Sequence, residues 1–175
     1  MKDIIKPIAV LAAICLVVTA LLAYINSVTS PIIKEADEKA AAEARQEVLS
    51  EADGFEEIED VKLPEGVEEA YKAENGAGYV FKLVTKGYGG NITLMCGIKP
   101  DGTIEKIKTL SHSETSGIGS KVVDNESGYS KKYTGKNEND FDSVDAVTGA
   151  TISSKAYKKA VASAFEAYDV VKGAE

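Results

Sequence analysis

Two stretches of this chain gather residue types that could do chemistry. From Asp145 to Val161 it reads DAVTGATISSKAYKKAV, with four hydroxyls (Thr148, Thr151, Ser153, Ser154) inside seven residues. They precede or open a helical pattern, and a helix N-terminus offers unpaired N–H groups and partial positive charge to a phosphate. Gly149 and Ala150 would let such a ligand approach the backbone. On these residues alone, capping by Ser153 or Ser154 is the commoner use of such hydroxyls. The second stretch, SHSETSGIG from Ser111 to Gly119, sets His112, Glu114 and Thr115 in a glycine-containing loop, where polar groups often carry binding. His112 is the only histidine. A lone histidine makes no metal site, so neither a metal nor a catalytic residue is assigned.

The elements around these stretches predict an α+β fold, a small antiparallel sheet packed with helices. GYVFKLVT, NITLMCGIK and TIEKIKTLS read as three strands, joined by the turns Gly87–Gly90 (GYGG) and Pro100-Asp101-Gly102. Tyr79, Phe81 and Leu83 share one face, and Ile104 and Ile107 point inward. Cys96, in mid-strand, reads as a small core residue. Tyr88 reads as turn or core packing and Lys121 as solvated surface. From Ser111 to Asp142 the chain is loop-like, and long loops in compact domains are often functional. A final helix is expected from about Ser154 to Lys172, with Tyr157, Val161, Ala164, Phe165 and Tyr168 at helical spacing. Thr151 then lies two or three residues before it. Residues 53–76 are acidic and turn-rich, with only a weak pattern.

Ile8 to Ile25 carries no charge, glycine or proline, and eighteen such residues roughly span a bilayer core. Lys2 and Lys6 precede the run, which puts the N-terminus in the cytoplasm and the remainder outside. A cleaved signal peptide is the weaker reading, because the run is long and its best cleavage match, Leu21-Leu22-Ala23, is poor. Ser30-Pro31 reads as the cap and first-turn proline of a separate helical stalk, rich in Ala, Glu, Lys and Arg. The expected organisation is an anchor over 1–26, a stalk over 27–52 and an extracytoplasmic domain over 53–175. The formal net charge is −8 although residues 1–34 are basic, so the acidic remainder gives no support to nucleic-acid binding.

The run Asp145-Ala146-Val147-Thr148-Gly149-Ala150-Thr151 resembles the Asp-x-x-Ser/Thr-Gly-Ala-Thr signature of FMN-binding domains that carry covalent flavin. Such domains occur in the G subunit of the Rnf complex and the C subunit of the sodium-pumping NADH:quinone reductase. His112 to Gly119 resembles that family's His-x-Glu-Thr-Pro-Gly-Leu-Gly loop, with Ser116 in place of Pro and Ile118 in place of Leu. The resemblance covers roughly residues 75–172. It implies one FMN joined by a phosphoester to Thr151, within a turn made by Thr148, Gly149 and Ala150. It further implies that His112, Glu114, Thr115, Gly117 and Ile118 lie against the flavin, with Glu114 and Thr115 bonding the ring edge. The implied function is electron relay in an Rnf-type complex that passes electrons between ferredoxin and NAD while moving ions. The implied partners are the other membrane subunits and a flavin transferase. Two alternatives stand beside it: a membrane-anchored binding module without flavin, and an FMN subunit of another extracytoplasmic reductase.

Overall fold

The computed structural model describes residues 2–59 and 61–174; Met1 and Glu175, the outer bounds of the expected anchor and domain, lie outside the described residues. The chain divides into two compact units, Met1–Ala40 and Ala41–Glu175.

The first unit is helical. Helix α1 (Lys2–Val48) contains both Pro7 and Pro31, so the expected new helix start at Ser30-Pro31 is corrected. Strong helix formers follow Pro31, and an apolar run without glycine precedes it. Ser27 and Thr29, which could have broken the helix, instead donate to the carbonyls of Tyr24 (2.7 Å) and Ile25 (3.0 Å). Over Ile8–Ile25 the helix is long and apolar enough to cross a membrane, and none of that stretch is buried in the fold.

The second unit is built on a five-stranded antiparallel meander in sequence order, β1 (Phe55–Glu57), β2 (Val67–Ala73), β3 (Tyr79–Lys86), β4 (Asn91–Ile98) and β5 (Ile104–His112). The last three are the expected strands. The first two escape a reading by alternation, because β1 is only three residues long and a register shift between Val67 and Glu69 breaks the period of β2. A second shift, at Gly97/Ile98, explains why Ile104 and Ile107 both face inward although three residues apart.

Both faces of the sheet are covered. On the front, helix α3 (Thr151–Gly173) lays Tyr157, Val161, Ala164, Phe165 and Tyr168 on Phe81, Leu83, Leu94 and Cys96. It starts at Thr151, not at Ser154, which moves the hydroxyl-rich turn onto the helix itself. The Tyr168 hydroxyl donates to the Pro100 carbonyl (2.7 Å), so α3 runs toward the Pro100–Gly102 turn and its N-terminus lies at the opposite end of the sheet. On the back, Ala41, Ala44, Val48 and Leu49 pack on Tyr71, Val80 and Met95. The last turns of α1, near the end of the expected stalk, are therefore covered by the sheet. Burying each of Val48 and Leu49 contributes about 1.5–3 kcal/mol. A Cβ on Gly97 would strike the Val48 carbonyl, so this close approach requires glycine. Helix α2 (Ser120–Val123) and three 3-10 turns fill the segment expected as loop. Within it the Asn125 side chain pairs with the backbone of Thr109 (2.8 and 3.0 Å) and seals the free edge of β5.

Candidate functional site

The two stretches singled out in the sequence meet at the end of the sheet where the β3–β4 turn, the end of β5 and the start of α3 come together. Gly149 has φ +85° and the Ala150 N–H donates to the Val147 carbonyl (2.9 Å), so residues 147–150 form a tight turn that delivers the chain into α3. Ala150 is the N-cap and offers no side-chain oxygen to the helix. The expected capping by Ser153 or Ser154 is thus corrected: both lie inside the first turn and are buried, each 2% exposed. Ser153 Oγ donates to Glu114 Oε2 (2.7 Å), and Ser154 Oγ accepts from the Val147 N–H (3.0 Å). Thr148 and Thr151 remain exposed. Of the four hydroxyls, two fasten the turn and two face solvent, and Thr151 is the one on the open N-terminus.

The loop of the second stretch folds against this turn. Glu114 is buried and its Oε1 accepts from the Gly89 N–H (3.1 Å) of the GYGG turn. Its own N–H donates to His112 Nδ1 (3.2 Å), and His112 Nε2 lies 3.0 Å from Asp124 Oδ1. With Nδ1 accepting, the neutral ring carries its proton on Nε2 and donates to Asp124. Thr115 to Ile118 make a turn closed by Ile118 N–H to the Thr115 carbonyl (3.3 Å), with Gly117 at φ +78°. The Gly117 N–H donates to Ser120 Oγ (2.9 Å). Ser116 stands at the second position of this turn, where proline is favoured.

Outside the N-terminal helix, the large apolar side chains left exposed are Tyr88 (72%), Ile118 (53%), Ile152 (55%) and Val170. The first three come from the GYGG turn, the Glu114 loop and the start of α3. Tyr88 is accordingly neither core nor turn packing. The three segments that meet at Glu114 thus each expose one apolar side chain, Ile152 being next to Thr151, and such side chains suit the flat face of an aromatic ring. A groove of about 590 Å³ lies to one side, lined by Thr109, His112, Ser120, Lys121, Asp124 and neighbours, and does not include Thr151. Among the described residues no group of three or more His, Cys, Asp or Glu is arranged to hold a metal. Cys96 is fully buried, which pushes its thiol up to about 12, and it does not pair with Cys15.

Comparison with known proteins matches two stretches of the chain. Residues 87–166 match the FMN-binding domain, and residues 1–48 match the RnfG N-terminal region. The G subunit of the Na(+)-translocating ferredoxin:NAD(+) oxidoreductase complex of Acetobacterium woodii is 31% identical, over 95% of this chain and 92% of its own. The chain belongs to the Rnf G-subunit family. Another member, the G subunit of the ion-translocating oxidoreductase complex of Methanosarcina acetivorans, is 31% identical over 98% of both chains. Its counterpart in the proton-translocating ferredoxin:NAD(+) oxidoreductase complex of Clostridium ljungdahlii is 29% identical over 87% of this chain and 84% of its own. The two family matches divide this G-subunit chain within its second unit. The first ends with α1 at Val48, and the second spans the GYGG turn, the Glu114 loop and most of α3.

Proposed function

We propose that this chain is the electron-carrying G subunit of an Rnf-type membrane complex, with one FMN joined through its phosphate to Thr151 Oγ. The observation that carries the reading is the fate of the four hydroxyls. Ser153 and Ser154 are buried and bonded inward, while Thr151 stands exposed as the first residue of a helix with no side-chain cap. A phosphodiester there keeps one negative charge, and the N-terminus of α3 stabilises it by about 0.3–1 kcal/mol. Because Thr151 lies on open surface, a covalent bond replaces the enclosure that a dissociable cofactor needs.

Making that ester requires an FMN donor activated as a phosphoric anhydride, supplied by a flavin transferase. The Thr151 Oγ–P bond forms, the anhydride P–O bond breaks, and the hydroxyl proton leaves with the displaced phosphate. Once bound, FMN supplies the redox chemistry, and the chain supplies position and electrostatics. Thr148, Gly149 and Ala150 shape the turn under the phosphate. Thr115, Gly117, Ile118 and His112 flank the ring on the loop side, with Tyr88 and Ile152 completing the apolar border.

Electron transfer between ferredoxin and NAD belongs to the assembled complex, coupled to ion movement, and this chain relays electrons among the other membrane subunits. Its helix holds it in the membrane as a single pass, with the N-terminus cytoplasmic and the domain outside. The test is flavin fluorescence of the unfolded full chain after co-expression with a flavin transferase. Wild type and Thr148→Ala are expected to fluoresce and Thr151→Ala to be dark. A fluorescent Thr151→Ala chain, or a dark wild type beside an active transferase, refutes the assignment.

A further inference from the structure

Glu114 lies in the loop expected to meet the flavin, yet its carboxylate is turned into the protein. The side chain is 8% exposed, and both oxygens serve neutral donors far away in sequence. Oε1 takes the Gly89 N–H, 25 residues before it, and Oε2 takes the Ser153 hydroxyl, 39 residues after it. The space around the carboxylate is walled by glycine. A Cβ built on Gly87 would collide with Oε1, and one on Gly119 with Oε2. Burying a carboxylate is costly unless its oxygens find donors. Here the donors lie on the β3–β4 turn and the first turn of α3, two segments that the carboxylate ties to its own loop.

The groups it touches have a pattern. Gly89, Gly119 and Ser153 each directly follow one of the three exposed apolar residues, Tyr88, Ile118 and Ile152. Gly89 and Ser153 each turn a donor inward to Glu114, Gly119 packs so closely that a side chain there would strike it, and each segment presents the preceding side chain to solvent. We propose that Glu114 is a positioning residue rather than a ring contact: its carboxylate braces the GYGG turn and its own loop against the start of α3, and so fixes the apolar border around Thr151. The proposal rests on Thr151 being the flavin attachment point. The brace itself is a property of the chain without flavin, and is measurable there.

The experiment compares wild type, Glu114→Ala, Glu114→Gln and Ser153→Ala as full chains in detergent micelles. Backbone amide exchange is followed first, without flavin. Loading by purified flavin transferase with its flavin nucleotide donor follows, with native-state flavin fluorescence as the second readout. Glutamine keeps the bridge, because its amide oxygen accepts from Gly89 and its NH₂ donates to the Ser153 hydroxyl, which also accepts. The Gly89 amide is expected to exchange about tenfold faster in Glu114→Ala, as one lost hydrogen bond gives, and near the wild-type rate in Glu114→Gln. Loading is expected to slow about tenfold in Glu114→Ala and several-fold in Ser153→Ala, with altered native fluorescence in both. Glu114→Gln is expected to load and fluoresce like wild type.

A folded Glu114→Ala chain with unchanged Gly89 exchange overturns the brace. So does a Glu114→Gln chain as impaired as Glu114→Ala, since that would assign the effect to charge. Should Glu114→Ala not fold, a Ser153→Ala chain with wild-type loading and fluorescence overturns it instead. A wild type that takes no flavin is the failure of the Thr151 reading, and amide exchange still decides the brace.

Discussion

Gly149 is the residue at which the turn into α3 is most constrained. Its φ of +85° lies in the left-handed region, while a Cβ there would meet nothing within 4 Å. Substitution therefore costs backbone strain alone. Gly149→Ala is expected to lower stability by about 1–2 kcal/mol and to slow flavin loading by displacing Thr151, which thermal melting and a loading time course would check. Ser116 offers the opposite case. It occupies the second position of the Thr115–Ile118 turn, where proline pre-sets φ. Ser116→Pro is expected to raise stability by about 0.4–1 kcal/mol through the unfolded chain's lost freedom, read as a shift in the urea midpoint.

The end of α1 is held to the back of the sheet by more than apolar contact. Glu47 receives Lys106 (2.7 Å) and Lys108, Ser50 Oγ donates to Glu105 (3.0 Å), and the Arg45 guanidinium lies 4.2 Å from the centre of the Tyr71 ring. The hydrogen bonds from Lys106 and then Lys108 hold the Glu47 carboxyl below its ordinary value of 4.5. A carboxylate lowered in the folded state stabilises above that ordinary value, and the contribution disappears as pH falls through the folded-state value. The side chains are half exposed, so the effect is small. Glu47→Gln is expected to cost about 0.5 kcal/mol at pH 7 and nothing once acid has protonated the wild-type carboxyl. Denaturation midpoints at the two pH values would show it.

At the scale of the whole chain, two units meet different solvents. Between Ile8 and Ile25 the helix exposes Leu11, Leu16, Val17, Leu21 and Leu22, which water would not tolerate and a lipid bilayer would. From Ala41 onward the large apolar side chains of the described residues are buried or half-buried, apart from Tyr88, Ile118, Ile152 and Val170. With Lys2 and Lys6 before the apolar run, the second unit is expected outside the cytoplasm. Protease added to intact spheroplasts should then digest it, while a tag fused before Met1 survives. Protection of the second unit would reverse the orientation.

Local pattern along the chain is enough to give the apolar helix, three of the five strands, the final helix and the two stretches that meet at the candidate site. These depend on local period and on residue type, which are written along the chain. It also supplied the family, because the turn before α3 and the Glu114 loop keep their characteristic residues even with Ser116 and Ile118 substituted. It did not determine the strands β1 and β2, since a three-residue strand and a bulged one carry no clean alternation. Nor did it show that α1 runs through Pro31, or that its last turns cover the sheet. Which hydroxyls are free emerges with the packed fold. Ser154 is held by Val147 of its own turn, but Ser153 is held by Glu114, 39 residues away, and no spacing along the chain records that arrival. The inward turn of Glu114 has the same cause: its donors are 25 and 39 residues away, and only folding brings them together.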